Sequence, residues 1–193
     1  MEIITHRINS IKLLRKIPEK YGVEIDLRTN GSKIILNHES SSRGDTFKNY
    51  LENYRHGTLI LNIKEAGIEE EVEKMLAKNK IKSYFLLDVE MPFLFSATKK
   101  KKRKLAVRFS EYESIETVKN FINRTEWIWV DTVTKLPIVK KNISIIKKFK
   151  SCIVCPERLN TKKDIKKYKK KFNQLNFTPD AVMTSVSCIK LWE

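Results

Sequence analysis

The sequence predicts a compact (β/α)8 barrel. Three observations carry that prediction. Short apolar, β-branched runs recur about every 20–25 residues. Amphipathic stretches at helical spacing lie between them. Length and composition describe a folded chain: 193 residues, 41% hydrophobic and 32% charged, with only five glycines and five prolines. That length suits one domain over residues 1–193, and a barrel this short needs short loops, since such folds usually take roughly 250 residues.

The eight strand candidates are Ile3–Thr5, Val23–Leu27, Thr58–Ile63, Tyr84–Asp88, Leu105–Phe109, Trp127–Asp131, Cys152–Cys155 and Ala181–Thr184. Helical stretches are expected at Ile8–Tyr21, Thr46–Tyr54, Ile68–Lys78, Ser114–Arg124, Ile138–Lys148 and Lys162–Leu175. In Ile68–Lys78 the apolar Ile68, Val72, Met75 and Leu76 keep helical spacing, and Glu69, Glu70, Glu71 and Glu73 sit near the start, where the helix dipole favours them. Strand–helix alternation implies a parallel sheet, and eight units imply closure; an open doubly wound sheet is the alternative. One segment departs from alternation. Asn30-Gly31 is a strong turn signal between Val23–Leu27 and Ile34–Leu36, so a short hairpin follows the second strand and returns Asn37-His38-Glu39 toward its end.

The 39 Lys/Arg and 23 Asp/Glu leave a net charge of +16. Residues 98–193 hold 24 of those cations and 9 of the acids, a balance of +15, against +1 for residues 1–97. A basic half implies an anionic partner such as a phosphate ester or an anionic membrane surface; it equally describes solvated lysine faces on outer helices. The run Lys99–Lys104 reads as an exposed helix end or loop, and nucleic acid ranks last as a partner because no aromatic residues interleave the basic runs. Cys152, Cys155 and Cys188 are an odd set within apolar surroundings, which reads as core packing in a reducing cytoplasm. No leader pattern opens the chain and no apolar stretch approaches the ~20 residues of a membrane span, so the expected location is cytoplasmic.

In such a barrel the chemistry belongs to the C-terminal ends of the strands. Those ends are polar: His6-Arg7, Glu24 and Asp26, Asn62-Ile63-Lys64, Asp88, Arg108, Asp131, then Glu157 and Thr184. Glu24 and Asp26, two apart on a strand, face the same side. Two inward carboxylates need a positive partner, either a hard cation, Mg2+ or Ca2+, or salt bridges to Arg7, Lys64 or Arg108. His6 and His38 are candidates for a general acid and base acting on a phosphate ester. Arg7, Lys64 and Arg108 are candidates to hold the phosphate or to balance Glu24, Asp26, Asp88 and Asp131. His56, in a turn, has no assigned role. Trp127, Trp129 and Trp192 are expected in the core or at its edge, with Trp129 also placed to line the pocket near Asp131.

In this order, His6-Arg7-Ile8, Glu24-Ile25-Asp26, Asn30-Gly31, His38-Glu39 and Asn62-Ile63-Lys64 resemble the glycerophosphodiester phosphodiesterase and phosphatidylinositol-phospholipase-C-like family, which shows His-Arg-Gly, Glu-x-Asp, Asp/Asn-Gly, His-Asp and Glu-x-Lys. Pro179–Thr184 is similar to its closing strand. The resemblance implies a TIM barrel with a short hairpin after the second strand. It implies a divalent-metal-dependent phosphoric diester hydrolase, or a lyase if a neighbouring hydroxyl attacks. By that resemblance His6 and His38 would be the catalytic acid/base pair, or one of them a nucleophile, Glu24 and Asp26 would bind metal, and Arg7 and Lys64 would contact the phosphate of a small phosphodiester of lipid metabolism. From their places at the strand ends, Asn62 and Asp88 are further candidate metal ligands, and Arg108 and Asp131 further candidate substrate contacts. Two departures stand out: Ile8 replaces the glycine, and Asn62 the third-strand glutamate, which Asp88 is expected to replace. A barrel that binds phosphate esters without cleaving them is the alternative.

Overall fold

The computed structural model describes residues 1–40, 43–159 and 164–193. Lys162 and Lys163, the start of one expected helix, lie outside them. The chain divides into two compact units, Ile4–Phe95 and Met1–Ile3 with Ser96–Glu193.

In Ile4–Phe95 the strands are β1 (Glu2–Thr5, whose last two residues belong here), β2 (Gly22–Asn30), β3 (Lys33–Leu36), β4 (Leu59–Ile63) and β5 (Tyr84–Leu87). β1, β2, β4 and β5 pair in parallel in the order β5-β4-β2-β1, and β3 pairs antiparallel with β2. Helices α1 (Ile11–Leu14), α2 (Phe47–Glu52) and α3 (Glu69–Lys78) intervene, and α4 (Met91–Lys99) follows β5. Parallel strands covered on both faces are apolar throughout: Val23, Ile25, Leu27, Leu59, Ile60, Leu61, Phe85 and Leu86 are all fully buried. Phe47, Tyr50 and Leu51 of α2 and Val72 and Leu76 of α3 complete this core.

The other unit contains β6 (Ala106–Phe109), β7 (Trp127–Val130), β8 (Lys150–Val154) and β9 (Ala181–Thr184), parallel in the order β9-β8-β7-β6. Its helices are α5 (Ile115–Lys119), α6 (Ile143–Ile146), α7 (Asp164–Gln174) and α8 (Ile189–Trp192). Trp127, Trp129 and Trp192 are buried, as are the free thiols of Cys152, Cys155 and Cys188. Eight parallel strands alternating with helices, with a hairpin after the second, make the fold class a compact (β/α)8 TIM barrel.

Five helices differ from expectation. The helix expected at Ile8–Tyr21 is only α1, capped by Ser10 Oγ on the Leu13 N–H. Ile8 and Asn9 are drawn out of it, because the Ile8 N–H donates to the Glu24 carbonyl and Tyr50 Oη donates to the Ile8 carbonyl. Pro18, which has no N–H to donate, stands beyond its end. α5 and α6 are likewise shorter than the stretches expected at Ser114–Arg124 and Ile138–Lys148, and α4 and α8 are helices that the periodicity did not single out. The hairpin is as expected: Asn30 pairs with Lys33 across Gly31-Ser32, and Gly31 takes the positive φ of +58° that the turn requires.

Candidate active site

β2 carries the centre of the site. Glu24 and Asp26 are 1% and 0% exposed, an extreme burial for two carboxylates. The alternation of β2 puts both on one face, and the parallel register sets Asn62 of β4 beside Asp26. Each carboxylate is held by short-range donors. Glu24 Oε2 accepts the Arg7 N–H at 2.8 Å, and Oε1 accepts the Asn62 amide at 3.2 Å. Asp26 Oδ2 accepts the Asn9 amide at 2.8 Å, while the Asp26 N–H donates to Asn9 Oδ1 at 2.8 Å. The Lys64 ammonium stands 3.3 Å from Asp26 Oδ1.

These partners do not fully offset the cost of burial. Desolvation first, and the Asp26 charge second, push the Glu24 carboxyl from 4.5 up to about 7, against the opposing pull of Arg7, Asn62 and Lys64. Asp26 Oδ1 and Asn62 Oδ1 are buried with no hydrogen-bond partner, the former facing Lys64 outside hydrogen-bonding geometry. Two carboxylates and an amide oxygen on adjacent strands are the hard-oxygen donor set that Mg2+ or Ca2+ takes, and two of those oxygens still lack a donor. The residues present therefore fit a divalent cation.

His6, at the end of β1, places Nε2 3.9 Å from Glu24 Oε2. Arg7 follows it with φ +54°, a left-handed conformation rare for a residue with a side chain. That geometry lets the Arg7 N–H reach Glu24 while its guanidinium reaches His38 Nε2 at 2.7 Å. The hairpin delivers His38: the Asn37 N–H donates to the Asp26 carbonyl, and Arg28 Nε donates to the His38 carbonyl at 3.1 Å. His38 Nδ1 meets Glu39 Oε1 at 2.5 Å. Arg offers only donors and the carboxylate only acceptors, so Nδ1 carries the proton and Nε2 keeps its lone pair toward Arg7. The hydrogen bond from His38 holds the Glu39 carboxyl below its usual range.

The structure thus brings His6, Arg7, Glu24, Asp26, His38, Asn62 and Lys64 together through one another's contacts. Asp88 does not join Glu24 and Asp26 as a third metal-binding carboxylate: among the described residues, no three His, Cys, Asp or Glu side chains are arranged to hold one ion. The reason is local. Leu87, not Asp88, is the ladder partner of Asn62, and the chain turns at Asp88 with φ +59°. Arg108 and Asp131 belong to the other unit, where Arg108 Nη1 donates to Asp131 Oδ2 at 2.8 Å and Arg158 approaches Oδ1 at 3.7 Å. Also there, Glu157 accepts from Thr184 Oγ1 and the Ser185 N–H. His56 Nε2 donates to the Ile17 carbonyl at 2.8 Å, a structural contact. Asn9 is the residue that the sequence reading missed. Asn9-Ser10 before an apolar run signals a helix start, and nothing in its spacing points to Asp26. Two open grooves of about 540 and 390 Å3 lie along α2 and α3, lined by Lys48, Glu71 and Met75 among others, and neither includes a residue of the site.

No protein-family model matches this chain, and no curated protein matches it. Solved structures do. A glycerophosphoryl diester phosphodiesterase from Parabacteroides distasonis superposes with a TM-score of 0.65 at 16% identity, over 94% of this chain and 81% of its own. A glycerophosphodiester phosphodiesterase from Agrobacterium tumefaciens gives 0.68 at 8% identity, over 95% and 96%. An Oleispira antarctica phosphodiesterase, solved with its product sn-glycerol-3-phosphate, gives 0.66 at 17% identity, over 95% and 92%. The chain shares the fold of these phosphodiesterases.

Proposed function

We propose that this protein hydrolyses a small phosphodiester of the glycerophosphodiester type. The observation that carries the reading is the buried Glu24–Asp26 pair with Asn62 and Lys64, tied through Arg7 to His38. Glu24, Asp26 and Asn62 Oδ1 would hold Mg2+ or Ca2+, which when bound supplies positive charge to the phosphoryl oxygens. Arg7 and Lys64 contact the phosphate. When the Arg7 guanidinium turns from His38 to the diester, Nε2 is released to take the proton of the attacking hydroxyl. Glu39 keeps the ring in that tautomer. His6, beside Glu24, returns a proton to the leaving alcohol. Attack by water gives a monoester; attack by a neighbouring substrate hydroxyl gives a cyclic phosphate and makes the protein a lyase. The fold similarity to phosphodiesterases supports the substrate class.

The test is turnover of glycerophosphocholine and a chromogenic diester with Mg2+, Ca2+ or chelator, in wild type, His6→Ala and His38→Ala. Each variant is expected to lose at least about 100-fold in kcat, the usual worth of a positioned acid or base. Wild-type rates in both variants would remove the mechanism. A second reading, a barrel that binds phosphate esters without cleaving them, is favoured by Asn62 standing in the place of a carboxylate. It predicts binding of sn-glycerol-3-phosphate with no turnover in any metal.

A further inference from the structure

The loops after β6 and β7 form a stiff platform that exposes apolar side chains. One carboxylate joins them. Glu111, in the loop after β6, accepts four hydrogen bonds from the loop after β7: the N–H groups of Val133 at 3.2 Å, Thr134 at 2.5 Å and Lys135 at 2.9 Å, and Thr134 Oγ1 at 2.7 Å. Partial burial pushes the Glu111 carboxyl up, but these bonds, that of Thr134 above all, bring it down to about 2, so the staple stays ionised and intact across the physiological range. On the Glu111 side, Ser110 Oγ accepts the N–H groups of Tyr112 and Glu113 at 3.0 and 3.2 Å.

The residues that this network holds outward are Tyr112, 77% exposed, and Val133, 39% exposed. A rigid backbone that displays an aromatic ring to solvent suits a contact surface better than a core. Two loop-tip side chains are too little for a stable protein interface, which buries roughly 800 Å2 per partner. They are enough for an anchor in a lipid interface, where a Tyr ring sits with its apolar body in the acyl boundary and its hydroxyl among headgroups. Charge selects the kind of lipid. Around the tips, Arg108, Lys135 and Arg158 match Glu111, Glu113 and Asp131, so the platform itself is neutral and two of its carboxylates are engaged. The segment 98–193 that carries it holds 24 Lys/Arg against 9 Asp/Glu, and a net charge of +15 draws it by long-range attraction to an anionic surface over a neutral one.

We infer that Tyr112 and Val133, on the Glu111-stapled loops after β6 and β7, form an interfacial anchor that seats this basic half on anionic phospholipid membranes. The anchor does not depend on phosphodiester cleavage. No helix of the described residues is long and apolar enough to cross a membrane, so the contact is peripheral.

The test is co-sedimentation of the full chain with vesicles of phosphatidylcholine alone, or of phosphatidylcholine mixed with phosphatidylglycerol. Wild type, Tyr112→Ser/Val133→Ser and Glu111→Gln are compared, and thermal unfolding verifies that each is folded. Wild type should partition to the anionic vesicles, release as salt rises and ignore the neutral ones. The double variant should partition about tenfold more weakly, as removal of two inserted apolar groups implies, and Glu111→Gln severalfold more weakly. Failure of wild type to bind anionic vesicles overturns the inference. Undiminished binding of the double variant also does so, since lysine faces would then suffice. Tyr112-dependent binding of single-stranded RNA with no binding of vesicles would assign the platform to nucleic acid instead.

Discussion

Replacing Glu24 by glutamine should abolish a pH dependence of stability that this one residue creates. The unfolded carboxyl titrates near 4.5 and the folded one at about 7, raised by burial and by the neighbouring Asp26. At about 1.4 kcal/mol per pH unit, the difference corresponds to about 3 kcal/mol. The sign follows from proton counts. Between these two values the folded state keeps a proton that the unfolded state has released. Stability therefore falls as pH rises through the window and levels off above it. The glutamine amide retains an acceptor for the Arg7 N–H, and its NH2, in the place of Oε1, donates to Asn62 Oδ1 once the Asn62 amide flips to present that oxygen. Between about pH 5 and about pH 8, wild type should lose about 2–3 kcal/mol more than Glu24→Gln, or roughly 5–10 °C in Tm for a chain of this length. Circular-dichroism melts in chelator at both pH values measure this directly. Parallel pH profiles for the two proteins would refute the reasoning, since the buried carboxyl would then cost nothing to ionise. Adding Mg2+ at the higher pH should recover wild-type stability and leave Glu24→Gln unmoved, because a cation repays only an ionised Glu24.

Asn9→Ala removes both halves of the clamp on Asp26, leaving a buried N–H and a carboxylate oxygen without partners; urea unfolding should show a loss of about 2–3 kcal/mol, and a loss within error of zero would dismiss the clamp. Lys64→Met leaves the Asp26 charge buried with only Asn9 to hold it, which should cost about 3 kcal/mol. The double variant Lys64→Met/Asp26→Asn should regain most of that in the same assay, whereas a double variant no better than the single would show that packing, not charge, was lost.

What the sequence revealed of this molecule follows from which features are local. Strands β2, β4, β5 and β7 are short runs bounded by polar residues, and their period announces them. Glu24-Ile25-Asp26 declares two carboxylates on one face because the strand period is two, and Asn30-Gly31 declares the turn that brings His38 back. Helix ends were less legible. α1, α5 and α6 are each shorter than their apolar spacing allows; at α1, Ile8 spends its backbone groups on β2 and α2 instead of on a helix. Tertiary pairings were least legible. Asn9 on Asp26 and Glu111 under the loop after β7 join residues 17 and 22–24 positions apart with no periodic signal. Asp88 shows the reverse failure: its place after a strand suggested a ligand, yet among the described residues no three His, Cys, Asp or Glu side chains are grouped to hold one ion, and the backbone is left-handed at Asp88.

β2 does two jobs with one backbone. Its middle sets Glu24 and Asp26 into the interior, and its far end, through Gly31-Ser32 and the antiparallel return of β3, sets where His38 arrives. Strand pairing moves in whole-residue steps, and each step exchanges the two faces. A single residue inserted or deleted at this turn would leave the carboxylates where they are and send the imidazole of His38 to the opposite side of the ribbon. The length of an exposed two-residue connection, ordinarily the most permissive part of a chain, is thus a condition on chemistry more than on folding.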